Sequence, residues 1–372
     1  MQSWIDFLKQ HGARDIDAAT LAIGGFGDAT SASSVTPATN FLVPLTGFGL
    51  MAATGSDAPT FLHNQLTNDV EHLDLTQARL AGYCTPKGRL LATFLMWKSA
   101  QTILLQVPRQ LQPAIQKRLQ MFIMRAKATL ADVSDLHVQI GLAGPAASAV
   151  LAHWFGTLPA TPYAKVEGDA GVLIRLADTG PVDDANSAED ATATAAAKIA
   201  RYLWITDVAS AQAAWPILTA ALQPAGAAAW QLAAIRAAVP LVTAPTQEQF
   251  VPQMINFEAV GGVNFQKGCY PGQEIVARSQ YLGKLKRRML PAIVDTADVA
   301  AGMEVFSSTD PDQACGMVVN AAPTSATASA CLVEIKLASV ETSVHLGSID
   351  GPLLRFHALP YPLADADRPD LR

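Results

Sequence analysis

The feature that most constrains the fold is a change of rhythm near residue 284. Before it, short apolar segments of strand length alternate with segments whose apolar residues recur at helical spacing; after it, only short strand-like segments separated by turns remain. The later candidates are 286–294, 316–320, 332–337 and 353–356. Several short strands punctuated by turns predict a small β-barrel over 284–372. A chain of 372 residues also exceeds what one ordinary core holds, so two or three domains are expected.

Upstream, 41–54 reads as strand, and a helix opens near Asp57 and Pro59, an acidic cap and an early proline that suit a first turn. Leu62, Leu66 and Val70 continue it at a spacing of four. Strands follow at 80–84 and 90–97, joined through Pro86-Lys87-Gly88, then at 102–107. A helix from Pro108 carries Leu111, Ile115, Leu119 and Phe122 on one face. A second block repeats the logic, with strands at 137–142, 171–176 and 200–205 and helices at 145–155, 208–222 and 227–237. The class predicted is α+β, with two related, interleaved α+β subdomains over 41–283, a boundary near 130–140, and the C-terminal barrel. Residues 1–40 read as an N-terminal helix within 1–23, through Trp4, Ile5, Phe7 and Leu8, followed by a flexible linker over 24–39. The acidic, Ala- and Thr-rich stretch 178–197 reads as an exposed insertion.

Composition narrows the function classes. Half the residues are apolar and 16% are charged, which fits a well-packed protein rather than a disordered one. A net charge of -6 argues against broad nucleic-acid binding, which aligns many cations against phosphates. No 18-residue apolar run is present, so no membrane span is expected, and the first residues lack the basic start and apolar run of a secretory signal. Cys84, Cys269, Cys315 and Cys331 are scattered, with no Cys-x-x-Cys pair. That spacing suits reduced cytoplasmic thiols and offers no intrinsic zinc or iron–sulfur site.

The segment 264–278 carries the most chemistry: Asn-Phe-Gln-Lys-Gly-Cys-Tyr-Pro-Gly-Gln-Glu-Ile-Val-Ala-Arg. It sets Cys269 two residues after Lys267, brackets it with Gly268 and Gly272, and then opens a short helix. A neighbouring cation favours the thiolate, the reactive species. Ile275 and Val276 are expected to face the core, with Gln273, Glu274 and Arg278 pointing elsewhere. Two readings stand from spacing alone, a turn with a small buried cysteine and a working thiol. The seven histidines sit in no recognisable partner motif, and His63, on a helix, reads as a surface or capping group. The run Lys284, Lys286, Arg287 and Arg288 reads either as a guarded strand edge or as an anion-binding patch.

The 264–278 run and the 280–288 run after it closely resemble the signature of the YgfZ family of folate-binding proteins. Three other segments resemble the same family: 61–70 (Phe-Leu-His-Asn-Gln-Leu-Thr-Asn-Asp-Val), 82–89 (Gly-Tyr-Cys-Thr-Pro-Lys-Gly-Arg) and 250–254 (Phe-Val-Pro-Gln-Met). The resemblance implies an aminomethyltransferase-like fold, a central folate-binding channel, and a role in iron–sulfur protein maturation that supports tRNA modification. It implies tetrahydrofolate or a derivative as cofactor, and iron–sulfur client enzymes or assembly proteins as partners. Cys269 becomes the reactive thiol, with Lys267 beside it. Phe48 and Trp230 fall at the family's folate-contacting aromatics, though aromatics at such positions also read as core. Tyr270, Gln273, Glu274, Arg278 and Arg236 complete the candidate set.

Two positions depart from related aminomethyltransferases. Where those carry an aspartate acting on the folate nitrogen, the closest residue here is Thr93, a poor general base. Where relatives show a glutamate followed by Ala-Gly, Arg236 stands, which donates hydrogen bonds but accepts none. Three functions follow. The chain acts as a non-hydrolytic, folate-dependent maturation factor, as a tetrahydrofolate-dependent aminomethyltransferase, or as a folate-independent interaction module on the same fold.

Overall fold

The computed structural model describes residues 1–27, 39–179, 198–281 and 285–363. The insertion read at 178–197 and the linker read at 24–39 therefore lie largely outside the described residues, as does Lys284.

The chain starts with α1 (Gln2–Gln10) and a hairpin of β1 (Ala13–Ile16) and β2 (Ile23–Phe26). The helix is shorter than the 23 residues first read; it buries Trp4, Ile5 and Leu8, as the pattern required, and Gly12, at φ 88°, turns the chain after it. β3 (Phe41–Pro44) comes next, and after a turn at 45–47 the chain crosses into another sheet. That second sheet is built by β4 (Phe48–Thr54), β5 (Ala78–Cys84), β6 (Leu90–Ser99), β7 (Thr102–Pro108) and β8 (Thr129–Asp132), with α2 (Ala58–His63) and α3 (Gln112–Gln120) between them. The chain then returns to the first sheet through β9 (Val138–Ala143), α4 (Pro145–Leu151), β10 (Lys165–Gly168), β11 (Gly171–Thr179), β12 (Ile199–Thr206), α5 (Val208–Ala221) and β13 (Gln223–Pro224). Its strand order is β10-β11-β12-β9-β3-β13, antiparallel except for the β13–β3 pair. The stretch 41–54 is thus two strands in two sheets, and the two α+β units are interleaved by that crossing.

The two sheets face each other. Period-two alternation sends Leu203 and Ile205 of β12 and Leu50 and Ala52 of β4 into a shared inter-sheet core. Tyr202 and Trp204 point the other way, onto α1, α4 and α5, while Met51 and Ala53 point onto the α2–α3 side. Gln106 and Gln139 span the inter-sheet space with a 2.7 Å hydrogen bond.

After β13, α6 (Ala227–Arg236) lies where the layers meet. Its Trp230 and Ala233 enter the inter-sheet core, and its Leu232 and Ile235 enter the core shared by the five-stranded sheet and the barrel. A helix buried on two sides needs apolar residues on both, which explains its weak amphipathicity. The loops that follow lead to α7 (Gln273–Tyr281). The rest is β14 (Arg287–Val294), β15 (Glu304–Ser307), β16 (Asp310–Pro323), β17 (Ser329–Lys336), β18 (Val344–Leu346) and β19 (Leu354–Phe356), ordered β18-β15-β16-β17-β14-β19. An antiparallel bridge between His345 and Leu353 brings the two edge strands together, so the six-stranded sheet nearly closes into the small barrel expected. No helix among the described residues is long and apolar enough to cross a membrane.

Candidate functional site

Two regions carry chemistry. The first is a cavity of about 340 Å³ at the edge of the inter-sheet core. The three larger sheets contribute to its wall: Phe48 from β4, Thr93 to Leu95 from β6, Arg201 from β12 and Asn320 from β16, with α6 supplying Trp230. Trp230 reaches its place because residue 141, on β9 behind it, is glycine. A Cβ there would stand 2.7 Å from the indole ring. The Asn320 amide pairs with both the N–H and the C=O of Leu241 at 2.9 Å, so the barrel fixes the 239–243 segment that closes one side.

The cavity's polar groups are few. Arg201 is buried, donates from Nε to the Ala177 carbonyl at 2.9 Å, and lies 5.1 Å from the centre of the Trp230 ring. Burial brings its guanidinium down to about 10, partly offset by the neighbouring Tyr163 and Asp178, so it stays a cation at neutral pH. Burial pushes the Tyr163 phenol up to about 12, and it therefore keeps its proton as a donor. Gln106 commits its Nε2 to Gln139, which leaves its own Oε1 as an acceptor. No carboxylate lines the cavity among the described residues. Thr93 is buried, and its hydroxyl accepts a hydrogen bond from the Val242 N–H at 3.1 Å. It serves the backbone there and is not poised as a base.

The second region is the thiol surface. The four segments singled out in sequence converge on it. Thr67 links two of their neighbourhoods, its hydroxyl donating to the Gly262 carbonyl at 2.6 Å and accepting from the Gly82 N–H at 2.7 Å. Gln253 donates from Nε2 to the Val276 carbonyl of α7 at 2.7 Å. Gly272, at φ 82°, lets the chain pass within reach of the 85–88 turn, where a Cβ would stand 2.4 Å from the Thr85 carbonyl. On this scaffold Cys269 is the exposed member of the four cysteines; the others are buried, and burial raises all three thiols, Cys84 and Cys331 to about 12.

Lys267 is buried beside the thiol. Its Nζ donates to the His63 carbonyl at 2.6 Å and to the Gly268 carbonyl at 3.1 Å, and it lies 4.7 Å from the centre of the Tyr270 ring. Burial brings this ammonium down to about 8, partly offset by the negative charges of Asp69, Cys269 and Glu71. Tyr270 is buried and its phenol is raised, chiefly by that burial. On α7, Gln273 is half-buried, while Glu274 and Arg278 are exposed, in line with the periodicity. Val276 is buried but Ile275 is 40% exposed, because it covers Gly88 of the neighbouring turn rather than entering the core.

The structure brings Phe48 and Trp230 together in the cavity, and Lys267, Cys269 and Tyr270 together at the thiol surface. It does not join the two sets: no residue of 264–278 borders the cavity. Arg236 ends α6 and is not among the cavity-lining residues, although Ala234 and Ile235 before it are. In the basic run, Arg287 Nη1 donates to both carboxylate oxygens of the buried Glu334, at 2.8 and 2.7 Å, and Arg288 is buried against Glu258 and the Gln253 carbonyl. Those two cations are structural.

Sequence reasoning missed the polar residues Arg201, Tyr163 and Gln106 of the cavity, and the pair His63 and Asp69 at the thiol surface. Arg201 sits in a β12 pattern that otherwise reads as strand, and nothing local marks it. His63 is buried, not a surface group, and its Nδ1 meets Asp69 Oδ1 at 3.1 Å. The signal for it was present, since both residues fall inside the 61–70 segment.

Comparison with known proteins places this geometry. Residues 39–170 match the GCVT N-terminal domain. The chain is 31% identical over 250 residues to the tRNA-modifying protein YgfZ of Colwellia psychrerythraea, covering 67% of this chain and 70% of that protein. It is 30% identical over 248 residues to the protein of the same name from Klebsiella pneumoniae, with 67% and 70% covered. Its fold matches the glycine cleavage system aminomethyltransferase T from Bartonella henselae with a TM-score of 0.74 at 17% identity, covering 95% and 96% of the two chains. With the four family-like segments converged on one exposed thiol, and relatives of that name 30–31% identical over two thirds of the sequence, this chain belongs to the YgfZ family.

Proposed function

We propose that this protein binds tetrahydrofolate or a derivative in the inter-sheet cavity and acts through Cys269 as a maturation or repair factor for iron–sulfur enzymes in the cytoplasm. Support for tRNA modification, the activity named for its relatives, then follows indirectly through cluster-dependent enzymes. The observation that carries the reading is the cavity itself. Its volume falls within the range of about 300–1,000 Å³ typical of small-molecule sites. A reduced pterin is flat and carries both donors and acceptors at its edge. Phe48 and Trp230 offer π-faces, Arg201 and Tyr163 donate, and Gln106 accepts, so the residues fit the ligand. The Arg201 cation also favours an electron-rich lactam or a carboxylate tail.

The absence of any lining carboxylate among the described residues, with Thr93 bonded to the backbone, favours binding without one-carbon transfer. Iron–sulfur enzymes or their assembly proteins are the partners this reading requires, met at the thiol surface. Titration with tetrahydrofolate under anaerobic conditions, followed by tryptophan fluorescence, tests it. Saturable quenching that is lost in Trp230→Phe is expected, together with no turnover of an aminomethyl donor. A flat titration sinks the folate reading, and turnover sinks the non-transferase reading.

A further inference from the structure

His63 connects two parts of the thiol surface that the sequence keeps 206 positions apart, and nothing so far gives its ring a task. The ring is 7% exposed and sits at the end of α2. Its Nδ1 meets Asp69 Oδ1 at 3.1 Å, and the other Asp69 oxygen meets the His72 ring at 2.8 Å. Burial opposes ionisation of Asp69, but hydrogen bonds from the His72 backbone and ring outweigh it and hold the carboxyl below the usual range. An ionised carboxylate only accepts, so Nδ1 carries a proton, and in the neutral ring Nε2 is the nitrogen with the lone pair. Nε2 has no hydrogen-bond partner among the described residues.

That free nitrogen faces the thiol loop. It lies 3.6 Å from where a Cβ on Gly268 would sit, and Gly268 directly precedes Cys269. Lys267, on the other side of that glycine, is tied to the His63 carbonyl at 2.6 Å. A buried imidazole with one nitrogen anchored on a carboxylate, and the other beside the glycine that precedes an exposed thiol, is placed as a proton acceptor with its orienting group would be.

We propose that His63 takes the proton from Cys269, that Asp69 positions His63, and that the site reacts with a sulfur–sulfur bond carried by a second molecule. The thiol lies outside the cavity and is open to solvent, so its partner is presented from outside. In the step, Nε2 accepts the Sγ proton, the Sγ–S bond forms and the partner's S–S bond breaks. The electron pair leaves on the departing sulfur, which takes the proton back from the imidazolium. Cys269 is oxidised to a mixed disulfide and the departing sulfur is reduced, with no other oxidant. The other three cysteines are buried, so release of the mixed disulfide uses a thiol of the partner.

The proposal deepens the reading of Cys269 as the working thiol and is independent of folate. Its test is the rate at which the full-length reduced protein reacts with a chromogenic aryl disulfide at neutral pH. A free thiol is only a few per cent thiolate there, so loss of the acceptor in His63→Gln slows the reaction by about tenfold. Cys269→Ser abolishes it. Free imidazole restores the rate of His63→Ala, whereas pyrazole, of the same shape but far less basic, does not. Asp69→Asn, which keeps the shape of the positioning group, slows the reaction by about threefold and serves if the His63 variants do not fold. Rates within about twofold of wild type in His63→Gln or Asp69→Asn, or equal rescue by pyrazole, overturn the proposal. A failed folate titration alongside a slow His63→Gln overturns only the ligand.

Discussion

Phe48 and Trp230 wall a cavity that three sheets close, whereas Cys269 stands on a loop open to solvent. The cavity's polar groups are fixed by strands far apart in sequence, and its one lining cation among the described residues is buried in β12. The thiol surface is assembled from turns: the end of α2, the 67–69 bend, the 85–88 turn and the loop before α7. A concave, mostly apolar recess with a few polar groups suits holding a small ligand. Polar, exposed and loop-borne suits meeting another macromolecule. The separation of binding from reacting groups teaches that ligand and thiol need not act on the same molecule at the same moment.

That separation is open to attack by substitution. The largest effect is expected from Cys269→Ala, which removes the exposed thiol and leaves the cavity intact. Complementation of a deletion strain, read by the activity of cluster-dependent enzymes, is expected to fail, while tetrahydrofolate quenching and the melting temperature stay as in the wild type. Normal complementation would remove the thiol from the mechanism. Next comes Arg201→Gln, which deletes a charged donor from the cavity. A hydrogen bond to a charged group is worth roughly 1.5–3 kcal/mol, so folate affinity falls by about tenfold to about a hundredfold. Alkylation of Cys269 by iodoacetamide should proceed unchanged; a parallel loss would mean that the two regions are coupled.

How the sequence foretold these regions differs for the same reason. The barrel strands β14, β16, β17 and β19 were legible as short apolar runs bounded by turns, β17 being buried along almost its whole length, whereas β15 and β18, at four and three residues, form no such run. The spacing of Leu62, Leu66 and Val70 mimicked one long helix, yet α2 stops at His63. Leu66 instead bridges to Tyr83, and Thr67 caps the neighbouring strand, so tertiary bonds override local period there. Cys269 was legible because its determinants are contiguous. Arg201 was not, because a cavity between two sheets is a property of their packing, which no single segment encodes.

A smaller effect is expected at Gly141, where an added methyl would stand 2.7 Å from the Trp230 ring. Overpacking of this kind costs about 1–3 kcal/mol. Gly141→Ala should lower the urea midpoint accordingly and weaken folate binding by moving the indole, without changing the rate of Cys269 alkylation. Unchanged folate affinity with the same loss of stability would mean that Trp230 is packing alone.

The smallest expected effect is a pH dependence from Lys267, which bears on the thiol side of the comparison. Its ammonium is brought from 10.5 in the unfolded chain to about 8 in the fold, chiefly by burial. Folding therefore disfavours the protonated form. That penalty is fully present below about 8 and vanishes above 10.5, so the unfolded chain binds more protons between those values and stability rises with pH across them. Because the side chain retains some contact with water, the gain is discounted to about 1 kcal/mol. Lys267→Met, which keeps the length and loses the charge, should flatten the rise while raising stability at neutral pH, measured by urea unfolding at a series of pH values. A buried cation that destabilises the fold at the pH where the protein works is what a positively charged neighbour held for the thiol predicts, whereas a lysine kept for packing alone would be improved by the methionine with no loss of Cys269 reactivity.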